Sequence, residues 1–156
     1  MRTRIIGLGN TILRDDGVGI HAVRELRARI PKSRLQGEAE IIESEVAGFA
    51  LMELMSGADR VILVDAIQFH DLQPGTVVQI DPGDLRTSLR LRSVHEIDLP
   101  TVLALGRRLG LAMPEEILVF GIQAEDALSF GETLTPPAAR GMAEAVELVL
   151  HRIFET

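Results

Sequence analysis

Between Ile5 and Gly19 the chain reads IIGLGNTILRDDGVG, and no other stretch restricts its fold as tightly. A β-branched apolar pair broken by Gly7, Gly9 and Asn10 predicts a buried strand that ends in a tight loop. Asp15, Asp16, Gly17 and Gly19 then lead into Val18, Ala22 and Leu26, an apolar stripe at helical spacing flanked by Val23 and Ile30. Strand, loop and helix in that order open an α/β sheet, whose ligand site lies at the carboxyl ends of its strands. The flanking carboxylates suit a cation or polar group rather than a phosphate. A dinucleotide fold is excluded, because the third glycine of G-x-G-x-x-G would fall on Ile12, and a P-loop lysine is also missing. Gly7 and Gly9 therefore read as turn glycines beside the carboxylate loop.

The rest of the chain keeps the alternation. Pro31 stops the first helix, whose basic end (Arg27, Arg29, Lys32) complements the helix dipole. Residues 39–44 read as a second strand, and Phe49 to Met55 as a short helix ending near Gly57. Arg60 to Ala66 is the clearest strand, four consecutive aliphatics followed by Asp65 at its end, a pattern that suits coverage on both faces. Thr76 to Ile80 predicts a fourth strand after the Pro74-Gly75 turn. Too few residues separate it from the third for a crossover helix, so an antiparallel pairing is expected. Residues 84–97 read as irregular, with Arg86, Arg90 and Arg92 before Ser93-Val94-His95. Asp98 can cap a helix from Leu99 to Leu109. Glu116 to Ile122 is the fifth strand. Gln123 to Leu134 reads as a polar loop, and Thr135 caps a last helix with Pro136 at its first position, running to about Phe154. These elements define one domain over residues 1–156. Its expected architecture is a three-layer α/β/α sandwich on a mainly parallel, five-stranded twisted sheet that includes one antiparallel strand.

Composition narrows the function. A net charge of −7 with 3% aromatics, all Phe, leaves neither the cations nor the stacking platforms that nucleic acids need. No apolar run reaches the length of a membrane span, and the start, MRTRII, lacks a signal-peptide pattern. The absence of Cys rules out disulfides, thiolate ligands and a cysteine nucleophile, and fits a cytoplasmic location.

Three polar residues fall at predicted strand exits or the loops after them: Asp16, Asp65 and His95. Two carboxylates and an imidazole form a donor set for a first-row divalent ion such as Zn²⁺ or Ni²⁺, with a position left open for water or substrate. Each residue also has a plainer reading. Asp16 can stabilise the start of the next helix, Asp65 can cap a turn, and His95 can hydrogen-bond a backbone group near the helix start. Asp15 reads as a solvated or capping neighbour, and His21, His70 and His151 as surface or packing residues.

Taken together, Gly7-Leu8-Gly9-Asn10, Asp15-Asp16-Gly17-Val18-Gly19, Val64-Asp65-Ala66 and His95 followed by Leu99 resemble the hydrogenase maturation protease family. The resemblance covers nearly the whole chain, and Asp16 stands where the family uses Asp or Glu. It implies an endopeptidase that removes a C-terminal extension from the large-subunit precursor of a nickel–iron hydrogenase after nickel insertion. Asp16, Asp65 and His95 would then contact nickel held by the precursor, with zinc or cadmium able to stand in. Whether these residues recognise the metal or perform the chemistry is left open by the residues. Two alternatives share the scaffold: a nickel-sensing chaperone that holds the precursor uncut, and a metal-dependent small-molecule hydrolase. No Ser-His-Asp order or HExxH motif is present.

Overall fold

Strand β1 (Thr3–Leu8) carries the opening apolar run, and Ile5 and Ile6 are both fully buried although their side chains point to opposite faces. A strand hidden on both sides needs a layer of helices on each, and the computed structural model, which describes residues 1–83 and 99–155, provides them. After β1 come a 3-10 turn (Arg14–Gly17), α1 (Val18–Arg29), a single-turn α2 (Lys32–Leu35) and β2 (Ala39–Ser44). Next are α3 (Leu51–Met55), entered through a 3-10 turn at Gly48–Ala50, then β3 (Arg60–Ile67) and β4 (Val77–Ile80). The chain closes with α4 (Leu99–Arg108), β5 (Glu116–Gln123) and α5 (Pro136–Phe154).

The sheet order is β2-β1-β3-β5-β4, parallel throughout except for β4 against β5. Ile5, Ile62, Val64 and Ala66 pack under α1 and α5, whereas Ile6, Leu8, Val61, Leu63 and Ile67 pack against α3 and α4. This is the three-layer sandwich that the strand–helix alternation implies. No helix among the described residues is long and apolar enough to cross a membrane.

Local differences from the sequence reading have simple causes. β4 is antiparallel, as its short approach requires, but its partner is β5 rather than β3. Both edges of β3 are already occupied by β1 and β5. Pro31 ends α1 but starts α2, since proline suits the beginning of a helix, and Arg34 of α2 stacks over the Phe154 ring at 5.2 Å. The helix expected from Phe49 begins as a 3-10 turn. Asp65 lies inside β3, not at its end, because β5 continues alongside it through Ile67↔Gln123. The irregular segment 84–97 and the Asp98 cap lie outside the described residues.

Gly7 is not a turn residue. It belongs to β1, where a Cβ would meet the Gly19 carbonyl oxygen at 2.3 Å. Gly19 answers it: a Cβ there would meet Val64 O at 2.2 Å and Leu8 O at 2.4 Å. The first turn of α1 is thus seated directly on the main chain where β1 and β3 end their pairing, which no residue larger than glycine permits.

Candidate active site

Pairing between β1 and β3 stops at Gly7↔Val64, one residue before Asp65. From β1 the chain leaves toward β2 on one side, and it returns as β3 on the other. The carboxyl ends of β1 and β3 therefore flank the switch point of the sheet, where open α/β folds form a crevice. Gly9, with φ of 155°, turns the chain out of β1, and a Cβ on it would strike Asp16 O at 2.3 Å. The loop consequently folds back, and the 3-10 turn carrying Asp16 packs against β3. The turn bearing Asp16 thus lies against the strand that carries Asp65, which follows the last β1–β3 pair.

Both carboxylates are buried, Asp16 at 5% exposure and Asp65 at 0%. The Asp16 amide donates to the Leu13 carbonyl at 3.1 Å, and Asp65 Oδ1 accepts the Ala66 amide at 2.8 Å. Strand alternation directs Asp65 to the α3/α4 face, between Leu63 and Ile67. Leu99, the first residue of α4, joins that same core layer. His95, four positions before it, lies outside the described residues, and among the described residues no three His, Cys, Asp or Glu side chains group as metal ligands. Asp16 also stands two residues before Val18, at the positive end of α1, where a carboxylate stabilises the helix.

Asp15 departs most from the sequence reading. It is 0% exposed and accepts four hydrogen bonds: Glu125 and Asp126 amides on Oδ2 at 2.9 and 3.1 Å, the Thr135 amide on Oδ1 at 2.8 Å, and the Thr135 hydroxyl on Oδ2 at 2.6 Å. Its own amide donates to Asp126 O at 3.0 Å. Asp15 is therefore a clamp that joins the Asp16 turn to the β5–α5 loop, not a solvated neighbour. Thr135 occupies the N-cap position of α5, but its hydroxyl donates to Asp15 instead of accepting from its own helix. Two adjacent aspartates in a tight turn must point different ways, and that tandem was the available signal for a division of labour.

A second belt of main-chain bonds strengthens the clamp. Arg14 donates its amide to Gly131 O at 2.8 Å, and the Gly131 amide donates to Ile12 O at 2.9 Å. Arg14 adopts φ of 49°, a conformation that costs about 1 kcal/mol for a residue with a Cβ, and these bonds offset it. Asp126 turns the loop by accepting the Leu128 and Ser129 amides at 3.0 and 2.9 Å. The Ser129 amide, followed by the Ser129 hydroxyl and the Leu128 amide, pushes the Asp126 carboxyl down to about 2. The loop that the sequence marks as polar thus has a fixed conformation. At the end of β5, Gln123 exchanges two hydrogen bonds with the Phe69 main chain, at 2.9 and 3.0 Å, and so fixes the segment leaving β3.

The fold and site define an α/β/α sandwich with two buried aspartates near its switch point and no phosphate-binding loop. A family model described as hydrogenase maturation protease matches residues 20–152, and the chain belongs to that family. It is 29% identical over its full length to the hydrogenase 2 maturation protease of Escherichia coli strain K12, covering 93% of that protein. Hydrogenase expression/formation protein HupD of Bradyrhizobium diazoefficiens is 28% identical across 99% of the chain and 79% of its own length. Among solved structures, the hydrogenase maturating endopeptidase HybD from E. coli superposes with a TM-score of 0.78 at 29% identity, covering 99% of this chain and 93% of HybD. The protein is a hydrogenase maturation endopeptidase.

Proposed function

We propose that this endopeptidase removes a C-terminal extension from the large-subunit precursor of a nickel–iron hydrogenase once nickel has been inserted. In this reading Asp16, Asp65 and His95 read the nickel that the precursor carries. The observation that supports it is the packing of the turn that bears buried Asp16 against β3, which carries buried Asp65 just past the end of its pairing with β1. Two carboxylate oxygens and an imidazole nitrogen make a donor set suited to a borderline divalent ion, and zinc or cadmium would serve as stand-ins. Since the set contains no thiolate, it is better suited to sharing an ion already held by the substrate than to extracting one. Contact with that nickel would fix the scissile peptide beside the crevice, giving the rate advantage of a positioned reactant.

The test compares nickel-loaded with nickel-free precursor, each incubated with the enzyme and followed by intact mass, with a chelator-treated control. The expected result is shortening of the loaded precursor alone, with free nickel unable to replace insertion. Equal cleavage of both precursors refutes nickel recognition and favours a resident metal that activates water. Binding without any cleavage supports the chaperone alternative.

A further inference from the structure

Three large apolar side chains stand in water on the loops bonded to the Asp16 turn: Ile12 at 50% exposure, and Leu128 and Phe130 at 83% each. Their exposure does not come from a loose loop. The bridge Leu13↔Gly131 runs parallel and sets Ile12 beside Phe130 in register, while Asp126 fixes the turn that carries Leu128. Below them, Asp15 ties both loops to the start of α5. A loop held this firmly in an apolar-outward shape has the character of a preformed binding surface, with its ordering cost met before a partner arrives. Exposed Glu125 and Glu132 flank the apolar residues on either side along the chain.

We infer that Ile12, Leu128 and Phe130 form a lip that docks the polypeptide substrate, through a segment bearing apolar side chains flanked by a cationic residue. The inference rests on the endopeptidase reading of the adjacent crevice. Two features select this occupant. The lip is continuous with the site, since Leu13 accepts the Asp16 amide while the neighbouring Ile12 and Arg14 bond to Gly131. The acidic rim, on a chain of net charge −7, then favours a partner segment with basic flanks. Aromatic and aliphatic anchors inside a polar rim are the arrangement that concentrates binding energy.

The test uses full-length enzyme and the nickel-loaded precursor. The double variant Leu128→Ser/Phe130→Ser should raise KM about tenfold or more with kcat within about twofold, because the lip binds without touching the scissile bond. Phe130→Leu should recover most of the loss. Glu125→Lys/Glu132→Lys should raise KM further at low salt than at high salt. A photo-crosslinking amino acid at position 130 should capture the precursor. If the double variant keeps the wild-type KM, the lip is refuted while the endopeptidase reading stands. If wild-type enzyme binds the precursor but does not cut it, the Kd of the double variant decides: about tenfold weakening upholds the lip, and an equal Kd overturns it. No binding by wild-type enzyme refutes both. A wild-type dimer that the double variant dissolves assigns the lip to a second copy of the chain and overturns the proposal.

Discussion

Removing the Asp15 carboxylate would strand the buried amide and hydroxyl of Thr135 together with the partly buried amides of Glu125 and Asp126. Asp15→Ala should therefore cost about 3 kcal/mol or more, measured by urea unfolding, because unsatisfied buried donors carry their full desolvation penalty. Asp16→Asn and Asp65→Asn should behave differently, abolishing precursor processing and weakening precursor binding. Lost cleavage with unchanged binding would move these carboxylates from recognition to chemistry. His21 supplies a pH signature. Burial pushes its imidazole below the ordinary value, Arg24 adds to this, and a hydrogen bond to the Glu132 main chain works against both. Its Nε2 is buried without a hydrogen-bond partner among the described residues. The folded protein thus holds fewer protons here than the unfolded chain, so His21 contributes full stability above about pH 6.5 and loses it as the pH falls below. His21→Gln should flatten that part of the stability–pH curve. Sequence alone separated Asp16 from Asp15 only by its order in the motif, since burial of a carboxylate depends on loops more than a hundred residues away.

The seating of α1 on β1 and β3 sets what the elements can tolerate. Gly19→Ala should destabilise by about 3 kcal/mol and impair processing, because the new methyl meets the Val64 and Leu8 carbonyl oxygens, which belong to the sheet backbone and cannot yield. Gly110→Ala is the control. At φ of 81° but with open space around it, that change should cost only about 1 kcal/mol and leave processing intact. Thermal unfolding of the two variants, with cleavage assayed in parallel, checks the contrast. The elements themselves were legible because their signals are local. The apolar run of β3, Pro31 and Pro136 each act within a few residues. The tight fit of Gly7 on Gly19 was not legible, since a glycine permitting contact and a glycine permitting a turn look identical until the second surface is known. The same holds for β4, whose direction follows from a short connection but whose partner depends on which edge of the sheet is vacant.

At the scale of the molecule, the charge pattern contributes less than its number of ion pairs suggests. Arg4–Glu40, Arg24 and Arg27 with Glu43, and Arg29–Glu147 all have at least one partner well exposed to solvent. Raising sodium chloride from about 0.05 to about 0.5 M should shift Tm by no more than about 2 °C. A larger fall would mean that these pairs act as a network. The strand order was only partly readable, because alternation fixes the layers but not which neighbour each strand selects. The Asp15 clamp has a consequence in time as well as in space. Its carboxylate joins residues 120 positions apart, so the clamp on the turn bearing Asp16 is complete only once Thr135 has been synthesised. A chain growing from its N-terminus can pair β1, β2 and β3 early, yet the clamp beneath the Asp16 turn closes only after β5 and the start of α5 have followed.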